Sequence, residues 1–291
     1  GKPTGLNPLQ TEIDNRGQAW LADWLATLLE RRDRPLTPVQ TNRLQEVVRQ
    51  NAGADHAGLR NWSDFASLLV STDDDGDLFE RMQEWTETGR YGWIFGANPQ
   101  DGFSLGGEVS GFDLTGILDS ESERERMAVL SYLFRRVERV IEDRRPTVIL
   151  IDEAWKALDN GYFADRLSNW LVTARKQNAV VVMMTQYASQ LERTRTGKTI
   201  VEAVPTQILL PNIRASAADY AMLGLSEKEL DVLLGVGTAS RLALVRDDRG
   251  SVVIDADLSA LGPLVTVLGG MEKGEQLVGA DYRDRPDFWK V

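Results

Sequence analysis

The stretch "RPTVILIDEAWKAL", residues 145–158, decides how the chain folds. Val148, Ile149, Leu150 and Ile151 form an unbroken apolar run, rich in β-branched side chains, that passes directly into Asp152 and Glu153. Such a run reads as a strand buried on both faces of a parallel sheet, delivering two carboxylates to the sheet's edge.

Downstream, "AVVVMMTQ" (residues 179–186) is a second apolar strand, ending in Thr185 and Gln186. Between the two, residues 163–176 have helical spacing, with Phe163, Leu167, Trp170, Leu171 and Ala174 on one face. A strand–helix–strand order predicts parallel neighbours with both carboxyl ends on one edge, where open α/β sheets bind ligands. There a strand ending in Asp-Glu fits the Walker B role. The first acid orients a hydrated magnesium ion, and the second polarises the attacking water. A polar amide ending the neighbouring strand can sense a γ-phosphate or place that water. Each strand end also has a bland reading, as polar residues turning into solvent. The pair together favours a nucleotide site.

The phosphate cradle is not found in this sequence. Its pattern is G-x-x-x-x-G-K-[ST], in which backbone amides wrap the phosphates. The only Gly-Lys-Thr is Gly197-Lys198-Thr199, and the earlier glycine it needs falls at Glu192. Gly1-Lys2 is followed by proline.

Working outward, the first 90 residues read as helical. Trp20, Leu21, Trp24, Leu25, Leu28 and Leu29 make a wide apolar stripe. Thr37 with Pro38 marks the start of another helix. Shorter helices are expected over residues 63–70 and 77–88, flanking an acidic loop at residues 73–77. "GFDLTGIL" (residues 111–118) reads as a short strand, and the segment from Ser122 as a long amphipathic helix with a Ser122/Glu125 capping box. After Gln186 come a helical segment near residues 199–203, the strand "TQILLPN", and two helices over residues 215–223 and 227–234. Ser226 caps the last of these, with Glu229 three residues on. A hairpin then alternates about Asp248-Arg249-Gly250.

The composition suits an ordinary soluble globular protein: 291 residues, 42% hydrophobic and 26% charged. No apolar run reaches the roughly 18 residues of a membrane span. With no cysteine, disulfides and thiolate metal sites are excluded, and the single histidine, His56, reads as a solvated loop residue. A net charge of −11 argues against general nucleic-acid binding. Arg193, Arg195 and Lys198 leave room for a weak local contact.

Taken in order, "TGLNPLQ", "ILIDEAWKAL", "TARKQN", "MMTQ" and "PTQILLPNIRA…DYAMLGLSEKEL" resemble the CagE/TrbE/VirB family of type IV secretion ATPases over nearly the whole chain. The resemblance implies an α/β fold: a RecA-like, P-loop NTPase-type, mostly parallel sheet flanked by helices, with an all-helical insertion and an edge hairpin. Residues 1–16 would lead into the motor domain, residues 17–92 form the insertion, and residues 93–291 the motor core with its C-terminal hairpin and helix. In the family the phosphate loop precedes the "GLNP" segment, so the chain reads as the C-terminal portion of a longer ATPase, inactive alone. Asp152 becomes the magnesium-site acid, acting through water, Glu153 the catalytic acid and Gln186 the sensor. Thr185 lies beside the cofactor. Arg175 resembles the arginine that hexameric motors point into a neighbour's site, although it also suits the C-terminus of its own helix. Trp155 and Lys156 read as packing and solvation. ATP and Mg2+ are the implied cofactors. Other secretion subunits and a homo-oligomer, a hexamer by analogy, are the implied partners, at the cytoplasmic face of a bacterial inner membrane. A DNA-pumping coupling motor of the same superfamily and a non-enzymatic scaffold with a degenerate ATPase fold are the alternatives.

Overall fold

A computed structural model describes residues 4–97, 101–118, 120–158, 161–194, 196–237, 240–262 and 264–265. The end of the chain, where a C-terminal helix was expected, lies outside the described residues, as does Arg195. Contacts gather into two units, one within Gly1–Thr147 and Lys176–Ala179, the other within Val148–Arg175 and Val180–Val291.

The first unit is helical: α1 (Pro8–Thr11), α2 (Asn15–Leu29), α3 (Pro38–Ala52), α4 (Trp62–Leu68), α5 (Asp77–Gln83), α6 (Thr115–Leu118) and α7 (Glu123–Glu142). Local chemistry starts these helices. The Asp14 carboxylate accepts the Gly17 N–H at 2.7 Å to open α2. Gly17 itself is required by crowding, because a Cβ there would lie 2.7 Å from the Glu12 carbonyl carbon. At α3, Thr37 and Gln40 make the full reciprocal capping box, with Pro38 in the first turn. At α7 only half of the expected box forms. Ser122 accepts the Glu125 N–H, but the Glu125 carboxylate takes the Ser120 hydroxyl at 2.8 Å instead of turning back to Ser122. The strand expected over residues 111–118 is also corrected: Thr115–Leu118 closes as the single helical turn of α6, led by the Asp113 carboxylate accepting the Thr115 N–H. A local side-chain bond of this kind competes with strand formation.

The α2 stripe is the heart of this unit. Leu21, Leu25 and Leu28 are fully buried, and Trp24 stacks on Trp20 with ring centroids 5.3 Å apart. The Trp24 indole N–H donates to Ser131 of α7 at 2.7 Å, so the ring is buried without orphaning its donor. Trp62, Phe65, Trp85 and Phe95 complete the core. Full burial of one such side chain is worth about 1.5–3 kcal/mol.

Two buried polar clusters tie the opening of the chain to α7. Glu12 accepts two N–H bonds from Arg135, each 3.1 Å, and Arg139 lies 3.5 Å from the same oxygen. Asp101 accepts from the Asn7 N–H, the Tyr132 hydroxyl and Arg136. Burial pushes the Tyr132 hydroxyl well above its usual range, against the lowering effect of the Arg136 charge, so it stays a neutral donor. Removing one partner of a buried pair strands a charge. Arg135→Leu is therefore expected to cost about 3–5 kcal/mol in urea unfolding followed by circular dichroism, and adding Glu12→Leu to recover most of it. A loss below about 1 kcal/mol in the single variant would mean that Arg139 suffices to neutralise Glu12.

The second unit carries the strands. β1 (Thr147–Ile151) leads into α8 (Ala154–Leu158) and α9 (Gly161–Thr173), a tight 3-10 turn over Ala174–Gln177, and β2 (Ala179–Met183). The Thr147 N–H donates to the Asn178 carbonyl, and the Met184 N–H to the Ile151 carbonyl. Partner numbers rise together, so β1 and β2 are parallel. On α9 the expected apolar face is buried at Phe163, Leu167, Trp170 and, just beyond it, Ala174.

There follow α10 (Ala188–Glu192), α11 (Gly197–Ala203), β3 (Gln207–Leu209), a 3-10 helix over Ala217–Leu223, α12 (Glu227–Gly235), β4 (Leu242–Asp247) and β5 (Gly250–Asp255). Ser226 and Glu229 form the capping box of α12. The hairpin turns through Asp248 and Arg249, pairing Asp247 with Gly250.

Two expectations need correction. A single, mostly parallel sheet was anticipated, yet the described strands form a parallel pair, β1–β2, and a separate antiparallel sheet, β3–β4–β5. β3 pairs with the hairpin along one edge, and no described strand pairs with its other edge. Nor is β1 buried on both faces. Val148 and Leu150 are 65% and 66% exposed, and Val180, Val182 and Met184 of the neighbouring strand are open as well. α9 is buried through its apolar face, while the alternate side chains of both strands meet no cover among the described residues. No described helix is long and apolar enough to cross a membrane.

Candidate functional site

Where β1 ends, the backbone turns sharply and is pinned by its neighbour. The Met184 N–H donates to the Ile151 carbonyl at 2.9 Å, and the Ala154 N–H returns to the Met184 carbonyl at 3.0 Å. Between these bonds lie Asp152 and Glu153. Glu153 sits in the left-handed region with φ 49°, a conformation uncommon for a residue with a side chain. Such strain costs about 1–3 kcal/mol and tends to gather at functional turns.

Asp152 is exposed, and one of its carboxylate oxygens accepts the Glu153 N–H at 2.9 Å. Glu153 is held by both oxygens. Gln186, just past the end of β2, donates its amide N–H to Oε1 at 2.5 Å, and the Trp155 indole N–H donates to Oε2. The structure thus brings together Asp152, Glu153 and Gln186, three residues the strand ends predicted. It adds Trp155, which the sequence assigned to packing. No spacing rule could find Trp155, because only the left-handed turn at Glu153 folds a side chain two residues on back against the acid.

Thr185 is turned elsewhere. Its hydroxyl bonds to Gln190 Oε1 at 2.8 Å, within the first turn of α10, and not to the acids. Arg175 lies exposed in the 3-10 turn after α9, and its guanidinium has no hydrogen bond or ion pair among the described residues. Lys198 stands 3.9 Å from Glu202 on the exposed face of α11, a solvated i,i+4 pair of little energetic weight. Gly197 answers to crowding: a Cβ there would sit 1.9 Å from the Leu191 carbonyl oxygen. That explains the glycine of the Gly-Lys-Thr triplet without a phosphate.

The donor set is hard oxygen and amide. No cluster of three or more His, Cys, Asp or Glu side chains suited to a metal ion occurs among the described residues. A magnesium ion bound with phosphates needs only one or two protein carboxylates, its other ligands being water and phosphate oxygen. An exposed Asp152 beside Glu153 fits that share.

Fold and site define an α/β protein whose polar groups meet at the carboxyl ends of parallel strands. No protein-family model matches the chain. Individual relatives do. It is 30% identical to the type IV secretion system protein VirB4 of Bartonella henselae over 99% of this chain and 37% of the relative. It is 32% identical to the type IV secretion system protein PtlC of Bordetella pertussis over 99% of this chain and 36% of the relative. With a probable conjugal transfer protein TrbE of Sinorhizobium fredii it shares 31% identity over 98% of this chain and 42% of the relative. A solved structure of VirB4 from Thermoanaerobacter pseudethanolicus matches the fold with a TM-score of 0.61 at 19% identity, over 87% of this chain and 73% of that one. The chain belongs to the VirB4/TrbE family of type IV secretion proteins. It spans about two fifths or less of the length of these three relatives.

Proposed function

We propose that the chain is the C-terminal portion of a RecA-like motor ATPase that couples ATP hydrolysis to pilus assembly or substrate transfer in type IV secretion. The observation that carries this reading is the bond from Gln186 to Glu153, which joins two parallel strand ends through the groups such chemistry needs. In this reading Asp152 holds the hydrated magnesium ion, which neutralises phosphate charge when bound. Glu153 takes the proton from the attacking water as it forms its bond to the γ-phosphorus. Gln186 exchanges its Glu153 bond for the γ-phosphate or the water. Thr185 borders the nucleotide, and Arg175 reaches the site of a neighbouring subunit in a homo-oligomeric, hexamer-like ring. Residues 17–92 serve as a helical insertion in the motor core. The working location is the cytoplasmic face of a bacterial inner membrane, beside other secretion subunits.

The phosphate loop belongs, in this reading, to the remainder of the longer polypeptide. Backbone amides supply most of the grip on phosphates, so calorimetry should detect no micromolar, magnesium-dependent ATP binding by residues 1–291. The full-length protein should bind and hydrolyse ATP. Micromolar binding by residues 1–291 would place the phosphate site within them. No hydrolysis by the full-length protein above background would leave the scaffold reading in its place.

A further inference from the structure

We propose that Trp155 is a positioning residue for Glu153, its indole N–H being the fixed donor that aims the carboxylate. The proposal rests on the reading of Glu153 as the water-activating acid and adds a residue to it.

Three observations converge. Glu153 adopts the left-handed conformation, which turns its side chain towards the first turn of α8. One carboxylate oxygen then receives the Trp155 indole N–H and the other the Gln186 amide. The two donors differ in how firmly they are held. Gln186 is exposed, on the loop after β2, and a free amide can trade one acceptor for another. Trp155 is partly buried and sits between Ala154 and Leu158, which are 1% and 2% exposed and anchor α8. A broad ring on an anchored turn cannot follow the carboxylate. The carboxylate must follow the ring.

The consequence is a division of labour. When an arriving phosphate or water takes the Gln186 amide, Oε1 is released to accept a proton, while Trp155 keeps Oε2 and hence the plane of the group in place. A glutamate without this bond has three side-chain torsions free. Geometry that loose lowers the fraction of encounters in which base and water are aligned.

The test uses the full-length protein with Trp155 replaced by 3-benzothienylalanine, which keeps the ring's shape but puts sulfur where the N–H was. Trp155→Phe serves as a second variant without the donor. A charge-assisted hydrogen bond of this kind corresponds to roughly a ten- to hundredfold effect. Turnover should fall by that factor, with KM for ATP and Tm unchanged. In a Glu153→Gln background the same replacement should have no further effect on turnover. If Glu153→Gln alone stays within a few-fold of wild type, the reading of Glu153 falls, and this proposal with it. If Glu153→Gln is inactive but the benzothienyl variant turns over normally, only the role of Trp155 is overturned. A drop in Tm that accounts for the lost turnover would assign Trp155 to packing and overturn the proposal equally.

Discussion

In the full-length protein, mixing Arg175→Ala with Glu153→Gln should restore ATP hydrolysis that neither variant shows alone. An arginine supplied by a neighbour stabilises charge developing on the γ-phosphate, an effect worth about 10³–10⁵ in rate in related enzymes. Two features of Arg175 motivate the experiment. It is exposed immediately after α9, and its guanidinium engages no acid among the described residues, so the structure provides no local ion pair to explain it. In a mixed ring some interfaces join a wild-type Glu153 to a wild-type Arg175, and those sites should turn over. Arg175→Lys should rescue little, because an ammonium cannot meet two phosphate oxygens with the planar fork of a guanidinium. If Arg175 serves only its own helix C-terminus, the alanine variant should keep near-normal turnover, lose modest stability and show no complementation.

Glu153→Gln alone should keep ATP binding and lose about 10²–10⁴-fold in turnover, the usual share of a general base. Binding should survive because Asp152, the proposed magnesium-site acid, is untouched and makes its own bond to the backbone of residue 153. The loss should be chemical, although the amide also fits the clamp less well. Glu153 accepts from N–H donors on both sides, and a glutamine has only one accepting oxygen to offer. Nucleotide affinity and steady-state turnover, measured together, separate the two effects. Weakened binding with turnover reduced in proportion would assign Glu153 to nucleotide retention, and turnover within a few-fold of wild type would remove it from the mechanism.

Much of this architecture is legible in short stretches of sequence. Thr37-Pro38 with Gln40, and Ser226 with Glu229, start their helices as their side chains dictate. The apolar stripe from Trp20 to Leu29 becomes a buried helix face. Asp248-Arg249 turns the hairpin, and the two apolar runs before Asp152 and before Thr185 become parallel strands. The ordered motifs also placed the chain in its family.

Where a local signal met a nearby competitor, the reading slipped. Residues 111–118 had strand-forming side chains, but Asp113 captured a backbone N–H and closed a helical turn. Glu125 had a capping position and a nearer hydroxyl to bind.

Caps, turns and periodicity act over a few residues, so the sequence by itself determined which elements form, where most of them begin, and that an acid pair and a glutamine stand at strand ends. Three features needed the tertiary structure. The Glu12–Arg135 pair joins residues 123 positions apart, and nothing in either neighbourhood announces its partner. The split into a parallel pair and an antiparallel sheet, each with open apolar side chains, depends on which strands find neighbours, a property of distant segments. The clamp on Glu153 depends on one backbone angle, φ 49°, imposed by β2 holding both sides of the turn through Met184. Side-chain identity is written in the sequence, but its direction in space is set by backbone hydrogen bonds that close only when remote strands meet.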